Sequence, residues 1–168
     1  MYYSKGQEVT RLLMFKKLIK RGVDFSLSFV LVVFFLIPIL GLFLIASILT
    51  NSSGLFTQKR IGKEGKPFNS YKIKTINSDK EIYSFGAFLR KSKLDELPQL
   101  FNILFGDMSF VGPRPDVEEF IELLSEEDKI ILSFRPGLTG PATLKFLNEE
   151  QKLNRASDPK KLMIEYWN

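Results

Sequence analysis

Between Phe25 and Thr50 the chain reads FSLSFVLVVFFLIPILGLFLIASILT, without a single charge. The run exceeds the ~20 residues a helix needs to cross the hydrocarbon of a bilayer, so it predicts a membrane-inserted helix. It also exceeds the apolar stretch of a secretory signal, about 7 to 15 residues, and no small-residue cleavage site follows it. The segment is therefore expected to stay in the mature protein. Lys16, Lys17, Lys20 and Arg21 precede it, and Lys59, Arg60, Lys63 and Lys66 follow it. A simple span should carry its cations on one side, so two basic ends favour a re-entrant hairpin that enters and leaves on the cytoplasmic face. Pro38, in the middle of the run, lacks a backbone donor and is the natural place for the break. The alternative is one span with a proline kink, which membrane helices accept. Asp24 can pair with Lys20 or Arg21 on one helical face and hold that junction at the interface, or serve as an ordinary surface ion pair.

After this segment, the remainder of a 168-residue chain suffices for one small domain. The absence of Cys and His excludes disulfides, thiol nucleophiles, the usual zinc ligand sets and histidine bases, leaving carboxylates, cations and hydroxyls for any chemistry. A net charge of +5 calls for anionic partners without choosing among nucleic acid, acidic lipid and phosphorylated small molecules. Sixteen Phe are many for this length, and those in the apolar run favour lipid contact over base stacking.

Residues 55 to 76 read as two short strands around the polar turn Gly62 to Pro67, a basic β-hairpin with Lys72 and Lys74 on one face. That face suits phosphate, and equally a solvated edge. Helical spacing recurs, with breaks, from Phe85 to Phe105, and an amphipathic helix is predicted from Glu118 to Leu132. Pro and Gly clusters at 112–115 and 135–141 interrupt the pattern. The predicted fold is α+β and mainly helical: a membrane anchor over residues 1–50, then a catalytic domain over 51–168 with a short β-hairpin.

The densest group of chemical side chains is LRKSKLDELPQLFNILFGDMSFVGPRP, from Leu89 to Pro115. Here Asp95 and Glu96 adjoin, with Arg90 and Arg114 on either side in sequence. One carboxylate can act as nucleophile while the other binds Mg²⁺, which prefers oxygen ligands and substrate phosphates; arginine then holds phosphate oxygens bidentately. Taken alone, Ser92-x-x-Asp95 is also a helix-capping pattern. Asp107 is open to a turn or a metal role, and Asp116, Glu118 and Glu119 suit a helix start.

This string resembles the signature of the monotopic phosphoglycosyl transferases, a family of bacterial sugar transferases. Other blocks match in consistent order: Lys20-Arg21-x-x-Asp24, Phe56-Thr57-Gln58-Lys59-Arg60-x-Gly62, Tyr71-Lys72-Ile73-Lys74-Thr75 and Arg135-Pro136-Gly137-Leu138-Thr139-Gly140. The resemblance covers roughly residues 14 to 145. It implies a ping-pong reaction in which Asp95 attacks the sugar-bearing phosphate of a UDP-sugar, UMP leaves, and polyprenyl phosphate takes the phosphosugar from the aspartyl intermediate. It places Glu96 at Mg²⁺ and Arg90, Arg114 and Arg135 near the phosphates, with Lys72 and Arg60 as further phosphate-binding candidates. It also implies the bacterial inner membrane, lipid contact and a catalytic domain on the cytoplasmic face, and leaves homo-oligomerisation open.

Two departures qualify the match. Ile37 stands where many members have Ser before the hairpin proline, and Pro141-Ala142-Thr143 stands where many have Trp-Ala-Gln, so sugar specificity does not carry over. The rival readings are a non-catalytic membrane scaffold, a nucleotide-sugar hydrolase with water as acceptor, and nucleic-acid binding. The last is disfavoured because the cations gather around the apolar segment, where anionic headgroups account for them.

Overall fold

An uncharged apolar run with one proline can satisfy its backbone only internally, and it does so as a single long helix. The computed structural model of the protein describes residues 2–121 and 124–140. Helix α1 spans Tyr2–Thr50 and runs without interruption through Pro38. The break expected there is not seen. Proline costs the ladder one N–H, and the helix survives that loss because Phe35 and Ile39, on either side, are held against the rest of the fold.

Asp24, Ser28, Val32, Ile39, Ala46 and Thr50 are buried at intervals of four or seven residues, which traces one stripe along α1. Val32 joins Leu100, Ile103 and Met108 in one cluster, and Ala46 joins Ile73 and Leu89 in another. The other faces stay apolar and exposed, as at Phe34, Ile37 and Ile48. By length and composition the stretch Arg11–Thr50 is a candidate membrane span, and its outward apolar surface suits lipid, so the chain is membrane-associated.

Strand β1 (Leu55–Ile61) pairs antiparallel with β2 (Pro67–Ile73), in register from Leu55↔Ile73 to Ile61↔Pro67. The connection is a 3-10 turn at Lys63–Gly65, so the hairpin and its turn stand where the alternation placed them. Helix α2 (Ser84–Ser92) ends at Lys93, whose left-handed backbone turns the chain into a 3-10 turn at Leu94–Glu96. Helix α3 (Gln99–Phe105) follows and stops at Gly106, at φ +96°, a conformation glycine adopts freely.

Two features depart from expectation. Strands β3 (Ser109–Val111) and β4 (Gly137–Thr139) form a small parallel pair where only Pro and Gly interruptions were predicted. They lie so close that a Cβ on Gly137 would strike the backbone of Gly112. The single amphipathic helix over 118–132 is instead a short α4 (Glu118–Ile121), bends and turns through 124–127, and a 3-10 stretch at Asp128–Ser133. Pro141-Ala142-Thr143 and the C-terminal part of the predicted domain lie outside the described residues.

Candidate active site

Asp95 sits on the 3-10 turn between α2 and α3, in a chain reversal that Lys93 makes possible by adopting φ +58°. The capping alternative for this segment is not what forms. The Ser92 hydroxyl donates back to the carbonyls of Phe88 (2.8 Å) and Leu89 (3.2 Å), ending α2 rather than starting the next turn. Asp95 is thereby packed inward with 7% of its surface exposed. Its Oδ1 is the one buried side-chain oxygen or nitrogen without a hydrogen-bond partner among the described residues. Burial raises its pKa above the ordinary carboxylate value and the neighbouring Glu96 charge adds to the rise, while Lys72, Lys93 and Arg90 oppose it.

Those three cations come from the hairpin and from the end of α2. Lys72, near the end of β2, donates to Glu96 Oε1 at 2.8 Å. Arg90, in the last turn of α2, is steered by a 2.8 Å bond from its Nε to Thr75 Oγ1. Lys93 follows directly. The site is thus a carboxylate pair with one member tied to an ammonium and the other buried with one oxygen unpartnered. Lys72, Arg90, Asp95 and Glu96 were all readable as site residues; Lys93 and Thr75 were not. Lys93 could have been found from its place two residues before Asp95, whereas the Thr75 contact spans 15 residues and has no local signal.

Arg60 and Arg114 form a separate group. Arg60 donates to Gln58 Oε1 at 2.7 Å, and the backbone N–H of Ile61 donates to the carbonyl of Asp116 at 2.9 Å. Burial lowers the Arg60 pKa, buried Asp116 opposes this and the Arg114 charge adds to it, so the three side chains share one neighbourhood. Arg60 lies on the same hairpin face as Lys72 but four residues further along, about 13 Å away at ~3.3 Å per residue. Arg135 lies elsewhere again. Its Nε donates to the Gly106 carbonyl at 2.8 Å, and it lines a cavity of about 230 Å³ with Lys63, Lys66, Phe68 and Asp107. Asp107 itself accepts from Asn102 Nδ2 at 3.3 Å.

The cations at the start of the apolar run dock into the domain. Lys20 donates to Ser109 Oγ and to the Val111 carbonyl at 3.1 Å, and pairs with Asp24 at 3.5 Å. Asp24 accepts from Ser109 Oγ at 2.8 Å and from the Phe110 N–H at 3.3 Å. Arg21 donates to the carbonyls of Ile103 (2.7 Å) and Leu104 (2.8 Å), capping the C-terminal end of α3. Pro38 lies midway between these contacts and the Ala46–Thr50 end of α1.

The chain's similarity to known proteins runs along both its parts. The family model described as "Bacterial sugar transferase" matches residues 15–168. The uncharacterized sugar transferase EpsL of Bacillus subtilis is 30% identical over 161 residues, 89% of this chain and 77% of EpsL. A second B. subtilis protein, provisionally named an undecaprenyl-phosphate N-acetylgalactosaminyl 1-phosphate transferase, is 40% identical over 105 residues, 54% of this chain and 59% of its own length. The UDP-glucose:undecaprenyl-phosphate glucose-1-phosphate transferase of Klebsiella pneumoniae is 37% identical over 132 residues, 68% of this chain and 28% of that protein. The chain therefore spans well under two thirds of several of its relatives. With the family match running from the anchoring helix through the Asp95-Glu96 turn and beyond, the chain belongs to the bacterial sugar transferase family.

Proposed function

We propose that this protein transfers a phosphosugar from a UDP-sugar to undecaprenyl phosphate, with Asp95 as nucleophile and release of UMP. The observation that carries this reading is the buried Asp95 with one oxygen that has no hydrogen-bond partner, set among Lys72, Lys93 and Arg90. Such a carboxylate is desolvated enough to attack and is surrounded by charge that neutralises a phosphate. The relatives' names add the class of acceptor and donor: undecaprenyl phosphate in both, UDP-glucose in one.

In the first step an Asp95 oxygen attacks the phosphorus that bears the sugar. The bond from that phosphorus to the bridging oxygen breaks, and UMP leaves with the electron pair. In the second step a phosphate oxygen of the lipid attacks the same phosphorus and expels the Asp95 carboxylate, giving the lipid-diphosphate sugar. Neither step needs a proton shuttle, which suits a chain without His. Arg90, held by Thr75, and Lys93 bind equatorial oxygens, and Lys72 shares its charge between Glu96 and the phosphates.

Mg²⁺ fits the donor set. Among the described residues no cluster of three or more carboxylates exists, but Mg²⁺ is usually held by one or two carboxylates with substrate phosphates and water. Glu96 would hold the ion, which when bound supplies charge neutralisation at the diphosphate.

The reaction requires the lipid phosphate to meet the dyad at the membrane surface. One small domain grips α1 near both of its apolar ends, at Lys20–Asp24 and at Ala46–Thr50. This supports an anchor whose two ends stay on one face; a domain on the cytoplasmic side of the inner membrane is part of the proposed reading, and α1 itself runs unbroken through Pro38.

The test is UMP release by detergent-solubilised protein given a UDP-sugar panel, Mg²⁺ and undecaprenyl phosphate, with Asp95→Asn in parallel. Lipid-dependent UMP that the variant abolishes supports the transfer. UMP without lipid product would identify a hydrolase, and no UMP from any sugar would sink both.

A further inference from the structure

Asn102 is fully buried, at 0% exposed, yet it is polar and lies outside every group assigned so far. Its Oδ1 accepts from the backbone N–H of Tyr71 at 3.2 Å, and its Nδ2 donates to the Asn69 carbonyl at 2.7 Å. An N–H and a C=O two residues apart point to the same edge of a strand, so the carboxamide stands where a neighbouring strand would, on the edge of β2 that β1 leaves open. The remaining Nδ2 hydrogen goes to Asp107 Oδ2. The Asn102 carbonyl accepts from the N–H groups of Gly106 (3.0 Å), Asp107 (2.9 Å) and Met108 (3.1 Å), which closes the end of α3 around it.

The consequence lies one residue along the strand. Lys72 follows Tyr71 on β2, and its ammonium reaches Glu96 on the turn three residues before α3 begins. Asn102 is on α3. Beside the apolar packing of Ile73 with Leu89 and Leu94, the hairpin is joined to the dyad turn by one long side-chain ion pair and to α3 by one short rigid amide clamp. An ammonium on four rotatable bonds cannot set a register; a planar amide bonded twice to a strand edge can.

We propose that Asn102 is a positioning residue, fixing β2 against α3 so that Lys72 is delivered to Glu96 beside Asp95. Its role in catalysis rests on the transfer reaction proposed above, but the positioning itself does not. The chain's own lysine therefore provides a readout free of turnover. Purified wild-type protein, Asn102→Ala and the isosteric Asn102→Asp are treated briefly with an amine-acylating ester, and modification of Lys72 is quantified by peptide mass spectrometry. Asn102→Asp keeps the acceptor for Tyr71 but loses the donor to Asn69. Glu96→Gln gives the signal of an unpaired Lys72, and Leu100→Ala, a buried apolar neighbour on α3, controls for loosening of the fold.

Lys72 should become several-fold more reactive in Asn102→Ala, approaching Glu96→Gln, with Asn102→Asp between and Leu100→Ala near wild type. In the UMP assay Asn102→Ala should lower kcat ~10- to 100-fold, the range a misplacement near 1 Å produces. Unchanged Lys72 reactivity in both Asn102 variants, or equal unmasking in Leu100→Ala, overturns the proposal. If wild type makes no UMP while Lys72 is unmasked as described, the positioning stands and the assigned reaction fails.

Discussion

Asp95 is held in the fold at a cost that its charge makes measurable. Burial and Glu96 raise its pKa, so between the ordinary carboxylate value and the raised one the folded state binds more protons than the unfolded chain. Stability then falls as pH rises through that window, and the full penalty is present above it. Asp95→Asn, which cannot ionise, should therefore raise Tm at pH 7.5 while abolishing turnover, and the gain should vanish below about pH 4, where the unfolded carboxyl is also protonated. Thermal unfolding in detergent at the two pH values checks this, and a variant less stable at pH 7.5 would contradict the burial argument. The dyad was legible because its two carboxylates are neighbours in sequence within a family string. That Arg60 and Arg114 gather around Asp116, about 13 Å from the row of Lys72, was not, since sequence order says which cations flank a motif and nothing about how far along a folded hairpin they stand from it.

Among the elements, the contact of α1 with the segment after α3 depends on buried polar bonds. Asp24 is buried and accepts from Ser109 Oγ and the Phe110 N–H, with Lys20 completing the group. Asp24→Ala leaves the Phe110 N–H without its acceptor and takes from the Ser109 hydroxyl and the Lys20 ammonium the one charged group they share, although both keep the Val111 carbonyl. Each unsatisfied buried group costs about 1–3 kcal/mol, and at this chain length 1 kcal/mol corresponds to ~2–4 °C in Tm. A loss of several degrees is expected, with a smaller loss for Ser109→Ala, which removes one of the partners. An unchanged Tm in both would mean the network is only a surface pair. The Lys20–Asp24 spacing was legible as an ion pair, but one expected at the membrane interface and not against Ser109. Ser109 is 85 residues from Asp24, and β3, its strand, is three residues long, too short for any period to show. The same brevity hid the β3–β4 pair. In 118–132, helical spacing was overridden by turns at 124–127.

For the molecule as a whole, the deciding fact is that one face of α1 packs along the domain from Asp24 to Thr50 while the other faces stay apolar. A helix crossing the bilayer squarely would carry its two ends to opposite water phases, about 40 Å apart over residues 24–50 at 1.5 Å per residue. A domain on one side could not then hold both. Either the apolar helix bends back, for which Pro38 is the available hinge, or it lies along the interface with the domain beside it, and both arrangements put its two flanks on one face. The absence of cysteine makes this directly measurable, because any introduced thiol is the only one. Lys16→Cys and Lys91→Cys, both at exposed positions on opposite sides of the apolar run, can be probed with a membrane-impermeant maleimide in intact spheroplasts and after permeabilisation. Both should label only after permeabilisation. Labelling of Lys16→Cys alone in intact spheroplasts would establish a full crossing, and the contacts of Lys20, Arg21 and Asp24 with Ile103–Val111 would then have to be absent in the membrane. Pro38→Ala separates the two one-sided arrangements. A hinge needs the missing N–H, so its replacement should expose Lys16→Cys to the outside in a fraction of molecules, whereas a helix lying along the interface should leave the labelling unchanged.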